Sequence, residues 1–112
     1  MRAYIYLNEG EGHFDGFDPV AHADKLTLVA RTGAVTDRHT LSFLDDIYTE
    51  LNVGGTYLGM AELYRDNENR SLSVGDVVLV QADGSVTGFA CAGTGWEPVD
   101  VEALALRTKL SL

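Results

Sequence analysis

The chain has 112 residues, of which seventeen are acidic and eight basic, giving a formal charge of −9 and a pI near 4.5. The negative electrostatic field of such a protein repels phosphate backbones and anionic lipids, so direct binding to nucleic acid or to a membrane surface is not expected. Basic proteins and cations are the partners it would attract, although acidity also serves solubility alone. Length and a hydrophobic content of 46% indicate one globular domain, residues 1–112.

Cysteine content and the N-terminus predict a cytoplasmic location. The single Cys91 cannot form an internal disulfide, and its apolar surroundings in the sequence favour a buried, unreactive thiol. The first apolar run ends at Asn8 and Glu9, which makes it too short for a signal peptide or a membrane span.

The first 31 residues predict two strands separated by a loop. Residues 2–7 alternate with period two and contain two tyrosines, which favours a strand. Residues 8–18 are rich in glycine and acidic side chains and are typical of a solvated, mobile loop. A turn of helix can begin at Asp18–Pro19 and run through His22, and residues 25–31 alternate again as a second strand.

A long helix is the most clearly predicted element. Thr36 or Asp37 can cap it, residues 38–52 form its body, and two glycines follow its end. Apolar residues recur at three- and four-residue steps, namely Leu41, Leu44, Ile47, Tyr48 and Leu51. The opposite face is predicted to be polar, namely Ser42, Asp45, Asp46, Thr49 and Glu50.

The second half of the chain predicts a short helix followed by more strands. The helix covers residues 60–65, and the branched run at 77–80 favours a central strand buried on both faces. Asp83–Gly84 indicates a hairpin that returns the chain through residues 85–92. A short edge segment is expected at 96–99. Residues 100–112 alternate in a way that favours a strand over a helix capped by Asp100.

These elements together predict an α+β fold. A mixed or antiparallel sheet of about five to six strands packs on one main helix, with the short helix as a second. Repeats, linkers and low-complexity segments are absent from the sequence.

In most candidate sites the residues do not have the spacing that the chemistry requires. Catalytic residues, a metal site and a cofactor are therefore not predicted. The acidic loop lacks the glycine and glutamate positions of a calcium-binding loop. His13, His22 and His39 lack metal-ligand spacing and are expected at the surface. Gly93–Thr94–Gly95 is too short for a phosphate loop and is not followed by a lysine.

One set of polar residues, at positions 70–76, remains a candidate site. Arg70, Ser71 and Ser73 precede the predicted central strand, and Gly75–Asp76 is expected to form the turn that enters it, with the Asp76 side chain bonding local backbone. Arg70 can pair with Asp76 or with acids of the helix, which favours a structural role. Ligand binding by this group together with Trp96 remains the alternative.

The stretch from Asn69 to Val78, with the sequence NRSLSVGDVV, is followed by Ala90–Cys91–Ala92 and Gly95–Trp96–Glu97. It resembles a family of small uncharacterised proteins found in actinobacterial chromosomes, plasmids and phages. The strand at 26–29 and the helix at 41–53 are similar to that family's pattern. The resemblance implies a phage or mobile-element setting and supplies no activity.

Two functions follow from these observations. The first is a non-enzymatic accessory protein that docks on a host protein through an acidic surface bearing aromatic residues, and the charge favours a basic host protein. Phe14 and Phe17 beside Asp15 and Asp18 would suit a basic, apolar groove, with Tyr57 and Trp96 as further aromatic anchors. The alternative is a small-ligand or nucleotide-binding domain that uses Arg70, Ser71, Ser73 and Trp96.

Overall fold

The computed structural model describes residues 1–36, 39–53 and 60–101. The strands are β1 (Arg2–Asn8), β2 (Leu26–Arg31), β3 (Val77–Ala82), β4 (Ser85–Cys91) and β5 (Trp96–Val99). The helices are α1 (Thr40–Asn52) and α2 (Ala61–Asp66), and 3-10 turns cover His13–Asp15 and Ala23–Lys25. The predicted strand at 100–112 and Tyr57 lie outside the described residues, apart from positions 100 and 101.

The five strands form one sheet in the order β2-β1-β3-β4-β5, and every neighbouring pair is antiparallel. The predicted α+β class is therefore confirmed, and of the two sheet types the antiparallel one is correct. β3 lies at the centre, where Val78 pairs with Ile5 on one side and Phe89 on the other. Its four branched residues are buried on both faces, as the sequence predicts.

One face of the sheet packs against α1 and α2. The buried residues of this helix-side core include Ile5, Val78, Phe43, Leu44 and Ile47. The predicted apolar stripe of α1 is partly wrong, because Leu41 and Tyr48 are exposed whereas Phe43 is buried. The helix is rotated so that positions 43, 44, 47 and 51 face the sheet, a selection that the apolar pattern alone cannot make.

The helix boundaries differ from the predicted ones by one or two residues. α1 begins at Thr40, after His39, instead of at the predicted residue 38, and it ends at Asn52 as expected. α2 is displaced by one residue from its predicted position at 60–65. Such shifts are normal because helix ends are set by local hydrogen bonds rather than by the apolar period.

The opposite face of the sheet is also covered. Tyr4, Tyr6, Val77 and Leu79 are buried there, and half-buried Phe17 from the β1–β2 connection packs on them. The tyrosines of β1 lie on the face opposite Ala3, Ile5 and Leu7, and they belong to a second core. The Tyr6 hydroxyl has no hydrogen-bond partner among the described residues, and burial, followed by the nearby Tyr4, raises its pKa.

The β3–β4 connection is the predicted Asp83–Gly84 hairpin. Both residues have positive φ, 52° and 78°, which is the geometry a two-residue hairpin of this kind requires. The turn places Gln81 opposite Val86 and keeps the two strands in register through Val77 and Ala90.

Candidate functional site

Arg70 and Asp76 form the most extensive polar cluster described in the structure. Arg70 donates from Nη1 to Asp76 Oδ2 and from Nη2 to Asp76 Oδ1, both at 2.7 Å. The same guanidinium donates to the Asn8 carbonyl at 2.9 Å and to Ser73 Oγ at 3.0 Å. A further hydrogen bond of 3.1 Å reaches the carbonyl of Ser71. The hydrogen bonds to Asp76 are the main reason that the pKa of Arg70 is raised.

The Asp76 carboxylate is fully enclosed, with 0% of the residue exposed. Besides Arg70, it accepts hydrogen bonds from the backbone N–H of Asn8 at 2.7 Å and of Ser73 at 2.8 Å. Each oxygen therefore has two donors, which satisfies the hydrogen-bonding capacity of a carboxylate. The predicted pairing of Arg70 with Asp76, and of Asp76 with local backbone, is confirmed.

The cluster joins three parts of the chain. Asn8 ends β1, the turn at Ser73–Asp76 leads into β3, and Arg70 lies in the connection after α2. The buried Tyr64 of α2 donates its hydroxyl to the Arg70 carbonyl. Burial, followed by the negative charge of Asp76, raises the pKa of Tyr64 to about 12. This arrangement holds the strand entry and α2 together, and it uses the Nη hydrogens that a ligand would need.

Trp96 lies in a different environment. Its indole N–H donates to Asp45 Oδ1 of α1 at 3.3 Å, and its ring packs against the helix-side core. It lines a cavity of about 280 Å³ with Asp45, Tyr48 and Cys91, and none of Arg70, Ser71 and Ser73 lines that cavity. The four residues predicted to share a ligand site are thus divided between two places in the fold.

The connection between β1 and β2 carries the four residues predicted to bind a partner. Phe14 is 69% exposed, Asp15 and Asp18 are also exposed, and Phe17 is half-buried in the second core. Asp18 accepts hydrogen bonds from the backbone N–H groups of Val20 and Ala21, which form the predicted turn. Phe14 and Phe17 therefore differ, since one faces solvent and the other anchors the connection to the sheet.

This connection is held against the β3 entry by hydrogen bonds. His13 Nδ1 donates to the Val74 carbonyl at 3.0 Å, and Asn8 Nδ2 donates to the Gly75 carbonyl at 3.0 Å. Gly75 has φ +94°, and a Cβ there would lie 2.2 Å from the His13 carbonyl oxygen. Only glycine allows this approach. The sequence predicted a solvated, mobile loop at residues 8–18 and did not indicate these contacts with the β3 entry.

His22 corrects the expectation that all three histidines lie at the surface. It is buried, and its Nδ1 accepts from the Asp18 N–H at 3.1 Å while its Nε2 donates to the Glu11 carbonyl at 2.8 Å. The imidazole thus cross-links two ends of the connection that presents Phe14. His13 is half-buried, whereas His39 is exposed.

Glu50 corrects the predicted polar face of α1. It is buried and accepts a hydrogen bond from the backbone N–H of Met60 at 2.7 Å. The carboxylate thereby contacts the residue that precedes α2. Glu50, which the helical pattern predicts to face solvent, instead links the two helices.

Cys91 is buried, as predicted. Burial, followed by the charge of Asp76, raises the pKa of its thiol to about 11, which keeps it protonated and poorly nucleophilic at neutral pH. Among the residues that the structure describes, no group of three histidine, cysteine or carboxylate side chains could hold a metal ion.

No protein-family model, curated protein or solved structure matches this chain. The resemblance of residues 69–78 to a family therefore stays a prediction. Within the described ranges, no helix is both long enough and apolar enough to cross a membrane.

Three residues of these polar clusters were missed by sequence reasoning: Asn8, His22 and Glu50. Asn8 follows an alternating strand and reads as the start of a loop, and nothing in its neighbourhood indicates contacts to residues 75 and 76. His22 and Glu50 are polar types that usually face solvent. Only the tertiary contacts bring them to buried positions.

Proposed function

We propose that this protein is a non-enzymatic interaction protein that docks on a partner through the exposed part of its β1–β2 connection. The observation that carries the proposal is the position of Phe14, which is 69% exposed on a 3-10 turn closed by backbone hydrogen bonds. A large aromatic side chain held in one backbone geometry loses little conformational freedom on binding.

Charge supports a basic partner. Glu11, Asp15 and Asp18 lie around Phe14 in the chain and are exposed, and the protein as a whole carries −9. An acidic rim around an apolar anchor favours encounter with a basic surface and weakens as salt rises. Val20 is also exposed on this connection and enlarges the apolar contact.

The setting of the proposal is a phage or other mobile element, with a host protein as partner, and it rests on the resemblance of residues 69–78 alone. We place the interaction in the cytoplasm, because a single cysteine provides no disulfide framework of the kind that small secreted domains use. The alternative of one ligand site shared by Arg70, Ser71, Ser73 and Trp96 gains no support, since Arg70 already donates to five acceptor atoms and Trp96 lies elsewhere, with Asp45.

The test immobilises the wild type and two variants and exposes each to a nuclease-treated actinobacterial lysate at two salt concentrations. Wild type should retain one host protein at low salt and release it at high salt. Phe14→Ala should lose it. Leu63→Ala is the matched control, because Leu63 is 66% exposed but lies on α2. Equal retention by Phe14→Ala and wild type would show that the connection is not the docking surface.

A further inference from the structure

A cavity between α1 and the β4–β5 turn is lined by aromatic side chains and by a carboxylate. Asp45 and Tyr48 are three residues apart on α1 and so project from the same side of the helix. The β4–β5 turn closes through a hydrogen bond of 2.9 Å from Ala92 N to Gly95 O. That turn returns the chain so that Trp96 pairs with Cys91, and the indole lies beside Asp45.

The cavity combines two aromatic side chains with one carboxylate. Tyr48 is 41% exposed, Trp96 is half-buried, and both line the space of about 280 Å³. Asp45 is the charged residue among the lining residues. Its Oδ1 accepts from Trp96, and its Oδ2 has no partner among the described residues. The indole N–H fixes the carboxylate in place without neutralising it.

From this combination we infer that the cavity binds an organic cation of the alkylammonium class. The aromatic faces attract a positive charge, and Asp45 supplies the opposite one. An anion would be repelled by Asp45, and a purely apolar ligand would cover its free oxygen and leave it unpaired. The volume suits a trimethylammonium group or the end of a lysine side chain, and is smaller than most drug-sized pockets.

Two further features fit this ligand. The charge of −9 raises the local concentration of cations at the surface. Cys91 lines the cavity as a protonated thiol and adds a soft apolar contact without covalent chemistry. The site lies on elements other than the β1–β2 connection, so it does not depend on the docking role proposed for Phe14.

The test uses the emission of Trp96, the single tryptophan of the chain, excited at a wavelength where tyrosine does not absorb. Choline is titrated at constant ionic strength against its uncharged isostere 3,3-dimethylbutan-1-ol. A parallel titration uses Nα-acetyl-lysine amide against the norleucine analogue. A saturable change with choline assigns the site to free ammonium ligands. A saturable change with the lysine compound alone assigns the site to a lysine side chain of a basic protein.

Two variants control for charge and fold. Asp45→Asn keeps an acceptor for the indole N–H but removes the charge, so it should weaken cation binding at least fivefold. Asp66→Asn removes one negative charge as Asp45→Asn does, but at an exposed position on α2, and it should leave binding within twofold. The inference is overturned if neither cation gives a saturable change, if the uncharged isosteres act equally, or if both variants behave alike.

Discussion

Removing Arg70 should destabilise the fold more than removing Arg31, a cation that makes no comparable ion pair among the described residues. Arg70→Ala leaves Asp76, a residue with 0% exposure, with the N–H groups of Asn8 and Ser73 as its remaining donors. Breaking a buried ion pair from one side costs about 3–5 kcal/mol. The Arg70 side chain is 38% exposed, so solvent screens the pair and water can reach the vacated oxygens. We therefore expect a loss of about 2–3 kcal/mol.

The loss corresponds to a decrease in Tm of roughly 8–12 °C for a domain of this size. Urea and thermal denaturation followed by Trp96 emission and circular dichroism measure it. Arg70→Lys keeps the charge without the two-pronged geometry and should lose about 1 kcal/mol. Arg31→Ala, at an exposed position of β2, is the control and should stay within about 0.5 kcal/mol. If Arg70→Ala loses no more than Arg31→Ala, the cluster does not stabilise the fold in the way its geometry indicates.

Two other predictions concern a close backbone approach and the buried thiol. Gly75→Ala should cost at least about 2 kcal/mol, because a Cβ would clash with the His13 carbonyl in addition to the strain of positive φ. Gly84→Ala has the same strain without the clash and should cost about 1 kcal/mol, so equal losses in urea denaturation would contradict the account. The pKa values of Cys91, about 11, and Tyr64, about 12, are raised above their ordinary 9 and 10, so the unfolded state releases these protons first. Stability should therefore fall as pH rises from about 9 to 12, and iodoacetamide at pH 8 should label Cys91 at least about 100-fold faster in denaturant than in the native state. Native labelling at the denatured rate would show that the thiol is accessible and ionised.

The periodic parts of the sequence predicted most of the secondary structure. β1, β3 and the Asp83–Gly84 hairpin were found where alternation and turn chemistry placed them, because these signals are local. The turn at Gly75–Asp76 and the pairing of Arg70 with Asp76 were also predictable, since six residues separate the partners. The order of the strands was not, because the neighbours β1 and β3 are far apart in the chain.

The sequence by itself determined the fold class, the central position of the branched strand, the turn chemistry and the acidic field. These depend on residue type and on spacings of a few residues. Only the tertiary structure decided that Glu50 and His22 are buried, that Phe14 faces solvent while Phe17 does not, and that Trp96 lies with Asp45 instead of Arg70. Trp96 reaches its position through a contact with Asp45 from a distant part of the chain, and Phe17 through packing on β1 and β3. The physical reason is that a buried polar group forms its hydrogen bonds with whatever partners the packed chain places beside it. Residue spacing along the sequence does not show which partners those are.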